Sequence, residues 1–160
     1  LHGALGQHIL KTGDILHVES IPAYRGYSAR LMRSTAIGAP PPGSDKIASR
    51  LIAIQEEQFA AMKPGAVAHE VDAIIRSRVL DEGLRERYEN TTGYTIGFLG
   101  TPRTSDFTRS FLPNADWFLE EGMVFHMYSW AQGMAFSDTI MITADGHERL
   151  TNVDRHLFVR

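Results

Sequence analysis

The chain has 160 residues, 43% of them apolar and 22% charged, with a net charge of −3 and no long basic run. That composition fits one ordinary globular domain and argues against a nucleic-acid footprint. There is no cysteine, which excludes disulfides, cysteine-zinc sites and thiol nucleophiles and leaves the redox compartment unreadable. No stretch approaches the roughly 20 apolar residues of a membrane span. The opening "LHGALGQH" lacks an initiator Met and a signal-peptide pattern, so a processed product or a piece of a longer protein is expected, with a cytoplasmic address by default.

"GDILHVES" begins at a Gly-Asp turn and predicts a strand from Ile15 to Ser20. Alternation places Ile15, His17, Glu19 and Ile21 on one face, with Leu16, Val18 and Ser20 on the other. "AYRGYSARLMRSTAIG" reads as a second strand, paired with the first through a turn at Pro22. The breaker-rich "GAPPPGS", Gly38 to Ser44, is a loop. Ser44 or Asp45 then caps a helix running to about Met62, with Ile47, Leu51, Ile54 and Phe59 or Met62 on one stripe. "KPG" stops it. A second helix covers about His69 to Asp81, its stripe being Val71, Ile74, Ile75 and Val79, with Gly83 as a left-handed cap. Beyond Arg87 the chain reads as short strands, "GYTIGF", "GMVFHMYSW" and "SDTIMIT", with "ADG" at 144–146 as a hairpin turn. Strands, two helices and strands again make an α+β unit.

Seven histidines occur, none of them at HExxH or another close ligand spacing. Glu19 is a carboxylate within an apolar strand. It lies either on an exposed face or against a partner, because an unpaired buried carboxylate is costly. Arg30 interrupts "YSARLM" and poses the same choice. In "TTGYTIGF", Gly93 and Gly97 bracket Tyr94, so the backbone can bend or approach something closely on both sides of the phenol. His126, Tyr128 and Trp130 share a strand face, and such an aromatic stripe is more often core than site. Pattern alone leaves the function open.

The order "GDILHVES…YRGYSARLMRS", "AAMKPGAVAHEVDAIIRSRVLDEG", "TGYTIGF", "LEEGMVFHMY" and "FSDTIMITADGHERLT" resembles the pita-bread hydrolase family. That family includes creatinase, prolidase, aminopeptidase P and methionine aminopeptidase. The C-terminal stretch, down to "HLFVR", looks most like the ectoine hydrolases. The resemblance implies the C-terminal part of a pita-bread fold: an antiparallel curved sheet packed by two helices, with residues 1–160 forming a single portion of the catalytic domain. It also implies that the rest of that domain and an N-terminal domain lie upstream, and that the protein is a homodimer.

Metallopeptidase members bind two metal ions through two Asp, one His and two Glu. By resemblance those positions fall on Glu19, on Arg30 eleven residues later, on Tyr94, on Tyr128 and on Ser137. Only Glu19 is a strong ligand for a hard cation, and a fixed guanidinium repels one, so neither a catalytic metal nor another cofactor is expected. Creatinase is a metal-free member whose acid–base histidine matches His2, while its two supporting glutamates fall on Met32 and Tyr128. In the ectoine hydrolases a glutamate at the first metal position is proposed to attack the ring, and Glu19 matches it.

The expected function is metal-independent hydrolysis of a C–N bond in a small, polar, carboxylate-bearing substrate. Glu19 would be nucleophile or general base and His2 the proton shuttle. Arg30 would clamp the carboxylate, Tyr94 and Tyr128 would steady developing charge, and His126 and Ser137 would contact substrate. Neither nucleic acid nor membrane is expected as a partner. Two alternatives stay open. In one, Glu19 and Arg30 pair inside an inert ligand-binding relative; the other is an Xaa-Pro dipeptidase, which needs the metals.

Overall fold

The computed structural model describes residues 6–98 and 108–160, so His2 lies outside the described residues. β1 (Ile15–Ser20) forms where alternation predicts it, with Ile15, His17 and Glu19 half-buried and Leu16, Val18 and Ser20 exposed. Ile21, beyond the strand end, is exposed rather than inward. β1 pairs antiparallel with β4 (Leu31–Ala36), setting Glu19 opposite Met32.

The segment between them departs from expectation. A single second strand does not form. The chain instead makes a small hairpin of β2 (Ala23–Tyr24) and β3 (Tyr27–Ser28). Arg25 (φ 51°) and Gly26 (φ 85°) both adopt left-handed backbone, the requirement of a two-residue hairpin turn, so the reversal sits there and not at Pro22. The Ala29 amide donates to the Pro22 carbonyl at 3.1 Å and closes the base of this excursion. Glu19 and Arg30 are thereby returned to one another across its root.

α1 (Ser44–Ala60) and α2 (Ala68–Asp81) fall close to their predicted spans. Neither Ser44 nor Asp45 caps α1: the cap residue is Gly43 at φ 86°, without a side-chain hydrogen bond. Asp45 sits in the first turn, where the helix dipole favours a carboxylate. Leu51, Ile54 and Phe59 of α1 and Val71, Ile75 and Val79 of α2 are buried in the core. Gly83 (φ 64°) ends α2 as expected.

The helices are clasped at the surface by Arg50, whose Nε and Nη2 each donate to Glu82 at 2.6 Å. The Arg50 hydrogen bonds hold the Glu82 carboxyl down to about 2, below its ordinary 4.5. A depressed carboxyl stabilises the fold above its unfolded pKa and loses that contribution as pH falls through the folded one. Glu82→Gln is therefore expected to flatten the loss of stability between about pH 5 and pH 2, measured as urea midpoints across that range. An unchanged acid limb would remove the clasp as its cause.

The remaining strands are β5 (Gly93–Thr95), β6 (Ser110–Phe111), β7 (Val124–Ala131), β8 (Met134–Ile142), β9 (His147–Arg149) and β10 (Phe158–Val159). Among the described residues the main sheet runs β1-β4-β8-β7-β5-β6, with β9 on β8 and β10 parallel to β4. Gln132 and Gly133, both with positive φ, turn β7 into β8. The "ADG" turn closes with Thr143 N–H on the Gly146 carbonyl at 3.0 Å and sets His147 opposite Ile142. The helices pack with Phe125, Met127, Phe136 and Ile140 of β7 and β8, while Met32, Tyr94, Tyr128 and Ala135 form a separate cluster with Trp130. No helix among the described residues is long and apolar enough to cross a membrane.

Candidate functional site

Period-two geometry places the site. On β7 it sends His126, Tyr128 and Trp130 to one side, and the β7–β8 register sets Ser137 opposite Tyr128 and Thr139 opposite His126. Met32 pairs with Ser137, and Tyr94 with His126. Glu19, opposite Met32, joins the same face from the sheet edge. Gly93 makes the β5–β7 approach possible. A Cβ there would stand 3.0 Å from the His126 carbonyl oxygen and nearer still to Met127 Sδ. Gly97 serves differently, through φ of 144° with open space around it.

Four hydrogen bonds link these side chains in series. Arg30 Nε donates to Glu19 Oε1 at 2.6 Å, and Arg30 Nη1 donates to the Tyr94 hydroxyl at 2.5 Å. That hydroxyl lies 2.9 Å from His126 Nδ1, and His126 Nε2 lies 2.7 Å from Ser137 Oγ. Arginine only donates, so Tyr94 accepts from it and can pass its own proton toward Nδ1. The imidazole tautomer protonated at Nε2 then donates to Ser137, and both ring nitrogens are matched. Thr139 fixes the arginine's backbone, accepting from the Arg30 amide at 2.8 Å and donating to the Arg30 carbonyl at 2.9 Å.

Exposure falls along the series. Glu19 keeps 14% of its side chain in solvent and Arg30 6%, while Ser137 is fully buried. Glu19 and Tyr128 are therefore the groups nearest an incoming molecule, and His126 and Ser137 lie beneath them. Burial alone would lower the Arg30 pKa. The Glu19 hydrogen bond and the nearby phenols of Tyr94 and Tyr128 outweigh it and raise Arg30 above its ordinary value. Tyr128 is steadied by Thr91, whose Oγ1 lies 2.9 Å from the phenol oxygen, and its ring stacks on His126 at 5.5 Å. The neighbouring Thr92 points away from the site and donates to Asp72 at 2.8 Å. Asp72 is held in turn by two hydrogen bonds from Arg76, at 2.6 and 2.8 Å. The "TTGY" run is thus anchored on both sides.

The structure brings together Glu19, Arg30, Tyr94, His126, Tyr128 and Ser137. Thr139 and Thr91 are the site residues that sequence reasoning passed over. The signal for Thr139 was present, since in "SDTIMIT" two hydroxyl residues recur at period two opposite His126 and Tyr128. Among the described residues no group of three His, Asp or Glu side chains could cage a metal ion.

Residues 1–144 match metallopeptidase family M24. The chain belongs to that family. Among relatives of this M24 chain, an Xaa-Pro dipeptidase of Pyrococcus horikoshii is 26% identical over 98% of the chain and 44% of its own length. An ectoine hydrolase of Halomonas elongata is 29% identical over 94% of the chain and 38% of its own length. The crystal structure of dipeptidase PepE from Mycobacterium ulcerans superposes with a TM-score of 0.82 at 28% identity, covering 94% of this chain and 41% of the other. The M24 chain spans less than half the length of each of these relatives. The α+β, pita-bread architecture expected from the sequence is the one found.

Proposed function

We propose that this chain carries the reacting groups of a metal-independent hydrolase that opens a C–N bond in a small, polar, carboxylate-bearing molecule. The observation that carries the reading is the Glu19–Arg30 pair at 2.6 Å, standing where the family resemblance places two acidic metal ligands. A guanidinium has no lone pair to offer, a neutral phenol or serine hydroxyl is a poor ligand for a hard dication, and Glu19 alone is not a cage. The donor set does not fit a metal pair, so the chemistry is assigned to the side chains.

In this reading Arg30 holds Glu19 aimed, since its Nε and Nη1 are engaged by Glu19 and Tyr94. A Glu19 oxygen adds to the carbon of the C–N bond, and the Tyr128 hydroxyl donates to the oxygen or nitrogen on which charge develops. The C–N bond breaks, the nitrogen leaves with a proton from His2, and water then hydrolyses the acyl (anhydride-type) intermediate on Glu19, restoring its carboxylate and returning a proton to His2. The relative named ectoine hydrolase supports a non-peptide C–N substrate, whereas those named Xaa-Pro dipeptidase support a peptide one.

The test is turnover of ectoine, creatine and acylated diamino acids by the full-length protein, before and after treatment with a chelator, beside elemental analysis of protein produced with added manganese. Turnover that survives chelation in metal-poor protein is the expected result. A stoichiometric metal pair with chelator-sensitive Xaa-Pro cleavage would replace this reading by the peptidase one. Metal-poor protein that binds such molecules without turning them over would leave the inert relative.

A further inference from the structure

Beside Tyr128 the same strand face continues into a cationic cluster that the mechanism above does not use. Arg85 lies just beyond α2, and its guanidinium carbon stands 3.7 Å from the centre of the Trp130 ring and 4.1 Å from that of Tyr88. Arg76 approaches the Tyr88 ring at 4.8 Å but is already neutralised by Asp72. Arg85 is not: among the described residues no carboxylate lies within ion-pair distance of it, and its side chain meets only neutral acceptors, the Asn90 amide oxygen at 3.3 Å and, more loosely, the Tyr88 hydroxyl. Its Nη1, the Trp130 Nε1 and the Tyr88 hydroxyl are all shut away from water without a hydrogen-bond partner. Tyr88 is itself 92% buried, being 8% exposed.

Poorly matched donors on Trp130, on Tyr88 and on the half-buried, unneutralised Arg85 itself point to a missing acceptor, and an anionic one. Native proteins match the large majority of buried donors, because an unmatched one is costly and more so beside a charge. The pKa directions agree: burial lowers Arg85 below its ordinary value, and burial raises Tyr88. The two aromatic faces supply flat walls and fix the plane of the guanidinium, which leaves its edge for a planar acceptor.

We propose that Arg85, Trp130 and Tyr88 form the subsite that takes the carboxylate of the substrate, next to Tyr128 on the same face of the sheet. The inference rests on the proposed C–N hydrolysis and deepens it. Arg30 is engaged by Glu19 and Tyr94, so among the described residues Arg85 is the cation on this face left for the substrate's charge. Arg85 and Trp130 are half-buried as residues although their unmatched polar atoms face inward, so the cluster lies close beneath the surface. A carboxylate docked there would accept from Nη1 and Trp130 Nε1, with the Tyr88 hydroxyl as a third donor.

Trp130 reports on its own occupancy. In full-length protein carrying Trp117→Phe, with any tryptophan outside these 160 residues also changed to Phe so that Trp130 alone emits, N-acetylglycine is expected to change the emission saturably. The neutral N-acetylglycinamide should not. Arg85→Gln should weaken binding of N-acetylglycine about 10- to 100-fold, the range of a charge-assisted hydrogen bond, and Arg85→Lys should recover part of the loss. Calorimetry on Trp130→Phe, which keeps the ring and removes the N–H, gives a second measure should Arg85→Gln fail to fold, and weaker binding is expected there too. Equal affinity for acid and amide, or affinity untouched by both substitutions, overturns the subsite. So does a silent Trp130 in wild type whose melting temperature drops in Arg85→Gln, because the anion would then come from another segment of the protein. Turnover with an unchanged KM in Arg85→Gln sinks the subsite and spares the hydrolase reading. Carboxylate binding in protein that turns nothing over does the reverse.

Discussion

Asp138→Ala is expected to lower stability by about 3–5 kcal/mol, the cost of removing one partner from a buried ion network. Asp138 is fully buried beside Ser137, yet alternation sends it to the opposite face of β8, toward α1. There Oδ1 accepts from Arg33 Nη2 at 2.8 Å and from the Thr151 hydroxyl at 2.6 Å, and Oδ2 forms an ion pair with Arg155 Nε at 3.0 Å. Arg155 reaches on to Glu56 and Gln55 of α1. Burial pulls the Arg155 pKa below its ordinary value while Asp138 and Glu56 push it back. Without Asp138, the buried Arg33 and Arg155 guanidinium groups lose the carboxylate they share, and Arg155 keeps only the exposed Glu56 as an ion-pair partner. Asp138→Asn keeps the shape and some hydrogen bonds, and should lie between wild type and alanine. Urea unfolding with an unchanged slope measures the loss. A loss below about 1 kcal/mol, the worth of a surface pair, would mean the network is not anchored on this carboxylate. Combining Asp138→Leu with Arg33→Met should recover part of the loss, because removing both charges also removes their desolvation.

That network shows what the sequence could and could not disclose. Strand β1 and the helix spans followed from alternation and from a 3.6-residue apolar stripe, signals that local chain geometry writes directly into the residues. Family resemblance marked Glu19, Arg30, Tyr94, Tyr128 and Ser137, and the fold gathers them with His126. What stayed hidden depends on distant pairing. Arg30 could have been a solvated edge residue, and only the β1–β4 register together with the Arg25–Gly26 turn sets it against Glu19. Thr139 holds the Arg30 backbone across 109 residues of sequence, a contact no local pattern carries. The aromatic stripe on β7 read as core, and by burial it is core. Its site character comes from the polar atoms it presents: His126 bonded to Tyr94 and Ser137, and Tyr128 to Thr91. The Asp138 network was missed because Arg33 and Arg155 look like surface residues until their carbonyl and carboxylate partners are known.

Glu19→Gln is expected to abolish turnover while leaving the fold in place. The amide oxygen of glutamine can still accept from Arg30 Nε, where Glu19 Oε1 accepts at 2.6 Å, so the Arg30–Tyr94–His126–Ser137 series should persist. The amide cannot act as a base and is a poor nucleophile. Removing a general base costs about 10²–10⁴ in rate, or about 3–5 kcal/mol of barrier, and removing a nucleophile costs at least as much. Both kcat and kcat/KM should fall together with binding unaffected, the signature of an interaction made in the transition state. Arg30→Lys separates aim from charge. A lysine keeps the positive charge but lacks the planar fork that spans Glu19 and Tyr94 at 2.6 and 2.5 Å, so a smaller loss of kcat is expected. Matching circular dichroism and melting temperatures for wild type and both variants make the rates interpretable. If folded Glu19→Gln turns substrate over at the wild-type rate, the carboxylate is a structural partner of Arg30 and the reacting group lies elsewhere. If Arg30→Lys falls as far as Glu19→Gln, the fork rather than the charge decides whether Glu19 can react.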